Sequence, residues 1–298
     1  MKTPSPSVTT ALTPDDQAWV DIGARPDPVP SADQVRRFDL TIGATVLVLL
    51  LATAATFLPG FHLLILNGRL DLVLNTLTAV AAAGAAALAW IRYRIERDVS
   101  AIFESSAFLV LFTTRALLVW VSIYGLSAEI GLGVESPEQW PIYGWTIARV
   151  LTAILLVLGA SATLDRTRKP PHWKVLVQVG PSLLVLGVIV TLPALELSLP
   201  VLVGPDGFAA LRGADGSLPA MNLAGVITQV AVALIYVRAA MLYREIYRQR
   251  GRRYAGYLAI GLLVAAFSQL NWAILPGISQ GVVTADDILR AGFSVIIL

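Results

Sequence analysis

Cysteine is absent from the 298 residues, which excludes disulfides, thiolate catalysis, iron–sulfur clusters and cysteine zinc sites. Charge is scarce: 14% of residues are Asp, Glu, Lys or Arg, against about 25% in soluble domains. With 56% hydrophobic residues and a mean hydropathy of +0.72, an ordinary soluble fold is excluded as well. Lysine occurs only at positions 2, 169 and 174, at or beyond the ends of the apolar runs, so none is available to hold a retinal. His62 and His172 fall at opposite ends of those runs and cannot ligate one haem together. No Walker loop, phosphoacceptor histidine box or nucleotide-binding glycine box occurs. The pair Asp286 and Asp287 is all the chain offers toward an aspartate-rich prenyl-transfer motif. No catalytic residue, metal site or cofactor is therefore expected.

What the chain has is length of apolar run. At about 20 residues per crossing, it reads as an all-α integral membrane protein, a bundle of about eight transmembrane helices. The spans are 38–58, 70–91, 100–124, 142–164, 173–195 with a bend at Gly180-Pro181, 222–243, 254–275, and a last one from 287 with Asp287 as its N-cap. Residues 1–37, punctuated by Pro4, Pro6, Pro14, Pro26, Pro28 and Pro30, read as a disordered tail, leaving 38–298 as the bundle. The last stretch, 287–298, covers only about 18 Å of a roughly 30 Å hydrocarbon core. It is expected to be a truncated helix whose continuation would emerge in the cytoplasm.

Basic residues set the orientation. Arg36/Arg37, Arg92/Arg94/Arg97, Arg166/Arg168/Lys169/Lys174 and the string from Arg244 to Arg253 fall in alternate connections, which are assigned to the cytoplasm. The other connections hold at most one base, or acids such as Glu129, Glu135 and Glu138. Both termini are then cytoplasmic and the protein is multi-pass in a cell's inner (cytoplasmic) membrane, with lipids as its surroundings. The net charge of +2 follows from the same rule and is no argument for nucleic acid.

Polar side chains within spans are costly, so each is a functional hypothesis. Counted from the helix ends, Arg115 and Arg149 lie roughly 10 to 14 Å deep. Gln229, Gln269, Asn271, Asn75 and Arg290 also fall in the outer half. Two readings stand. One is an outward-opening cavity whose guanidinium forks receive an anionic ligand such as a carboxylate, phosphate or lipid headgroup. The other is structural, each arginine pinning helices through a carbonyl, an amide or an acid such as Glu135. Glu104, the one acid clearly inside a span, is expected to form a structural ion pair with Arg238, with a proton relay as the alternative.

The stretch 236–253, the run 257–268 and the segment Asp287-Ile288-Leu289-Arg290-Ala291-Gly292-Phe293 with its aliphatic end resemble the multi-helix membrane regions that precede the kinase in bacterial sensor histidine kinases. The resemblance implies a signal-transduction module whose last helix continues into a cytoplasmic output domain, and a homodimer formed through that domain. The phosphoacceptor helix and ATP-binding domain are not in this chain, so by itself it is expected to be no enzyme. The alternatives are a transporter or permease, or a non-catalytic subunit of a membrane complex.

Overall fold

The computed structural model describes residues 29–55, 65–66, 68–124, 139–164, 174–204, 220–274 and 282–298. These form eight α-helices: α1 (Ala32–Ala55), α2 (Gly68–Glu96), α3 (Val99–Tyr124), α4 (Gln139–Leu164), α5 (Lys174–Thr191), α6 (Leu223–Arg250), α7 (Arg253–Ile274) and α8 (Ala285–Ile297). The first seven are long and apolar enough to cross a membrane. With 13 residues, α8 is shorter than the roughly 20 a full crossing takes.

Local chemistry sets the helix ends. The Ser31 hydroxyl accepts from the Gln34 N–H at 3.3 Å while the Gln34 side chain accepts from the Ser31 N–H at 2.9 Å, a reciprocal box that satisfies two free donors. It starts α1 at Ala32, six residues before the expected boundary, so 32–37 is helix; residues 1–28 of the expected tail lie outside the described residues. Asn222 caps α6 by accepting from the Gly225 N–H at 2.7 Å. That helix runs seven residues past its expected end at 243. It stops where Gly251 turns left-handed (φ 67°) and returns its N–H to the Tyr247 carbonyl, as helices commonly terminate. Arg248 and Arg250 in its last turn suit the negative end of the helix dipole. At α8 the N-cap is Thr284; Asp287 is the third helical residue, accepting from the Thr284 N–H at 2.9 Å and its hydroxyl at 3.0 Å. The capping box displaces the expected cap by three residues. α5 passes through Pro181 and tightens into a 3-10 turn over Leu192–Ser198.

Small residues let the helices close up. Ala81, Ala82, Ala85, Ala86 and Ala89 are buried on α2, and Ser105 of α3 donates to the Ala86 carbonyl at 2.9 Å. Such alanine faces let helix backbones approach closely, as in membrane bundles. α7 packs along α6 on one flank and α8 on the other, while α8 also lies against α2. Phe293 and Ile297 of α8 sit where a Cβ on Gly261 would be, 3.1 and 3.2 Å from it. α1 is peripheral. It meets α7 through Phe38 over Gly256 and through Thr53, which accepts from Asn271 at 2.9 Å. Leu47, Val48 and Leu51 on α1, Leu183 and Leu184 on α5 and Leu234 on α6 are exposed. So much exposed apolar surface is more than a water-soluble monomer carries and suits a multi-pass membrane protein.

One end of the bundle carries Arg92, Arg248 and Arg252 and is called the basic end below. At the opposite end two short antiparallel pairings tie the connections: Ile65–Leu66 (β1) with Val282–Val283 (β4), and Val203–Gly204 (β2) with Ala220–Met221 (β3). The Gln139 side chain joins the second pair, donating to the Val203 carbonyl at 2.9 Å and accepting from the Leu202 and Val203 N–H groups.

Candidate functional site

Three helices each bring one arginine to a common point in the half of the bundle away from the basic end. Arg115 (α3), Arg149 (α4) and Arg290 (α8) stand 4.0, 5.6 and 5.8 Å from the ring centre of Trp145. Trp145 and Arg149 are four apart on α4 and so share a face. Trp272 of α7 lies 5.0 Å from Arg149 on another side. Aromatic faces attract cations and do so more strongly when water is excluded.

The polar partners are specific. Arg149 donates to the Gln269 carbonyl oxygen at 3.0 Å and lies 3.7 Å from Asp286. Arg290 pairs with Asp286, four residues back on α8, and with Asp287 at 2.6 Å. Ser268 of α7 donates to Asp286 as well, whose side chain is fully buried. Arg115 donates to the Asn75 side-chain oxygen, and Asn75 in turn donates to Asp71 at 2.8 Å. The Tyr236 hydroxyl reaches the Arg149 carbonyl at 3.4 Å.

Of the six residues singled out by sequence, the structure brings four together: Arg115, Arg149, Arg290 and Gln269 line one cavity of about 50 Å³. Gln229 and Asn271 are elsewhere, which corrects the expectation. Asn271 is two residues from Gln269, a turn of about 200° that sends it to the opposite face, where it holds Thr53 of α1. Gln229 meets α4 at Thr146, donating to its hydroxyl at 3.3 Å, while its carbonyl oxygen is buried without a hydrogen bond. The cavity has room for a few waters or one small ion, well short of the roughly 300 Å³ of an organic-ligand pocket.

Sequence reasoning missed the acids. Glu135, its suggested partner, lies outside the described residues. The carboxylates at the cluster are Asp286 and Asp287, which in sequence are a deficient motif and a cap, with Asp71 behind Asn75 and near enough to act on Arg290. The spacing of Asp286 and Arg290, four apart in a helix, was the available signal.

A second charged cluster occupies the basic end. Glu104 of α3 pairs with Arg92 of α2 and accepts from the Tyr243 hydroxyl at 2.9 Å. The expected partner, Arg238, is instead exposed on α6, because the tight α2–α3 hairpin sets residue 92 across from residue 104. Arg92 stacks 3.7 Å over the Tyr254 ring. Beside it Arg252 pairs with Asp98, lies 3.7 Å from Glu96 and donates to the Tyr254 hydroxyl at 3.2 Å. Burial raises the Asp98 carboxyl, but Arg252 beside it and the Ser100 N–H outweigh that and hold it below its ordinary value. Among the described residues no group of three or more His, Asp or Glu is placed to hold a metal ion.

Comparison with protein-family models, with curated proteins and with solved structures finds no match to this chain.

Proposed function

We propose that this chain is the membrane-embedded sensory module of a bacterial sensor histidine kinase, with seven full spans and part of an eighth in the cytoplasmic membrane and its basic end in the cytoplasm. A signal arriving at the outer face or within the bilayer acts on the arginine cluster. α8 carries the response toward a cytoplasmic output domain through which two copies dimerise. The chain's own part is conformational and involves no catalysis.

The observation that carries this reading is how α8 is fastened. Its first turn and a half is held by charge, through Asp286 and Arg290 with Arg149 and Ser268 of two other helices. Below that Phe293 and Ile297 make apolar contacts against a glycine of α7, Gly261. A charge latch at one end and apolar contact against a glycine beyond it suit an element with two positions. A signal shifts the balance only if it binds one position better than the other. Anything that competes for Arg149 or Arg290 has that property, because it acts on the latch itself.

The test exploits the missing cysteines. Spin labels on cysteines placed at Val295 and Leu88, both exposed, report the distance between α8 and α2 in reconstituted protein. Two distance populations are expected, redistributed by Asp286→Asn, since breaking a buried pair costs about 3–5 kcal/mol and about 5.5 kcal/mol reverses a 1:99 equilibrium. One population that D286N leaves unmoved overturns the reading.

A further inference from the structure

The cavity at the arginine cluster is small, and its walls are of one sign. Arg115, Arg149 and Arg290 line it, together with Gln269 and Ser294, and no carboxylate does. The acids nearby are already engaged: Asp286 by Arg290 and Ser268, Asp287 by Arg290 and Thr284. Asp71 accepts from the Asn75 amide that holds Arg115, and its charge also reaches Arg290. Arg115 is buried and has no ion pair among the described residues; its partners are an amide oxygen and the Trp145 ring. Of the three guanidinium groups, Arg115 alone has no carboxylate within ion-pair distance among the described residues. Buried charge without a counter-charge is strongly disfavoured, and here the vacant volume lies next to it.

We infer that this cavity binds one small monovalent inorganic anion of the halide class, held by Arg115, Arg149 and Arg290. Size and charge both select it. About 50 Å³ takes one halide with a water or so, at roughly 30 Å³ per water, whereas a carboxylate metabolite or a headgroup asks for about 300 Å³. A phosphate or sulfate would bring two charges to a cavity where Arg115 alone has no carboxylate against it. The inference deepens the sensory proposal by naming the class of ligand; it rests on that proposal for the consequence of binding, while binding itself is measured separately.

The probe is sodium chloride, with sodium bromide as a second halide, titrated into purified protein in detergent against sodium gluconate at constant ionic strength. Thermal unfolding is the readout. The expected result is a saturable rise of a few degrees with either halide, since a ligand that binds only the folded state raises its stability. Arg115→Gln is expected to weaken the apparent affinity about tenfold or more. Ala82→Val, which fills the cavity wall without touching a charge, is expected to do the same and decides the matter if the arginine variant does not fold. Equal melting in chloride and gluconate overturns the inference and leaves a water-filled void; so does a wild-type halide response in both variants. Halide binding that leaves the α8 spin-label distances fixed supports the anion site and removes the sensory role. Label populations that switch with no halide response do the reverse.

Discussion

The two charged clusters of this bundle are built from the same residue types and balance their charges differently. At the basic end every arginine of the cluster has a carboxylate: Arg92 has Glu104, and Arg252 has Asp98 with Glu96 close by. In the other half Arg290 takes two carboxylates, Arg149 shares one of them at 3.7 Å, and Arg115 has none. Matched pairs hold helices in one arrangement. A cluster in which one arginine has no carboxylate against it is one that a further ion can change, which is why the second, and not the first, is the candidate site.

That contrast can be broken by substitution. Glu104→Ala should cost the most, about 3–5 kcal/mol, because it strands a partly buried Arg92 and the buried Tyr243 hydroxyl. Thermal or denaturant unfolding in detergent would measure it, and a loss under 1 kcal/mol would remove the claim that the basic end is matched. Asp98→Asn should cost less, about 1–2 kcal/mol, since the pair is partly solvated. The folded carboxyl is held below its ordinary value, so its contribution is present above the unfolded carboxylate pKa of about 3.9. It is lost as pH falls through the lower folded value. The wild-type advantage over D98N should therefore be flat at neutral pH and shrink in that acid range; an advantage that grows on acidification contradicts the assignment. Arg115→Met should change stability least, within about 1 kcal/mol in gluconate, because it removes an unpaired buried cation and keeps the side chain's bulk. A loss as large as that of Glu104→Ala would make the two clusters alike.

Much of the fold was legible in the sequence, since a twenty-residue apolar run has few fates. All eight helices fall where the runs are. The ends were harder, for two reasons. Tyr243 to Arg250 is polar enough to resemble a loop, yet the helix continues until Gly251 supplies the left-handed turn. Ser31 and Thr284 act through reciprocal boxes with Gln34 and Asp287, which hydropathy does not register. In the site, counting along each helix gave the depth of Arg115, Arg149 and Arg290 but not the direction each faces. Depth was enough to bring the three arginines and Gln269 together. It was not enough for Asn271 or Gln229, whose faces are fixed by the neighbours α1 and α4. Asp286 and Asp287 were hidden by their place at a helix start, where acids are common for an unrelated reason.

Gln139 shows what the closure at the end away from the basic residues does mechanically. A ribbon of two residues per strand has little stiffness of its own. The Gln139 amide serves it as a third strand one residue long, offering a donor and an acceptor to Leu202 and Val203. Because Gln139 is also the first residue of α4, a pull on that ribbon is delivered to the helix axis and not dissipated in a loop. Trp145 and Arg149 lie six and ten residues on, about 9 and 15 Å along the axis. The ribbon is a handle with a short lever arm, and the arginines sit at its far end.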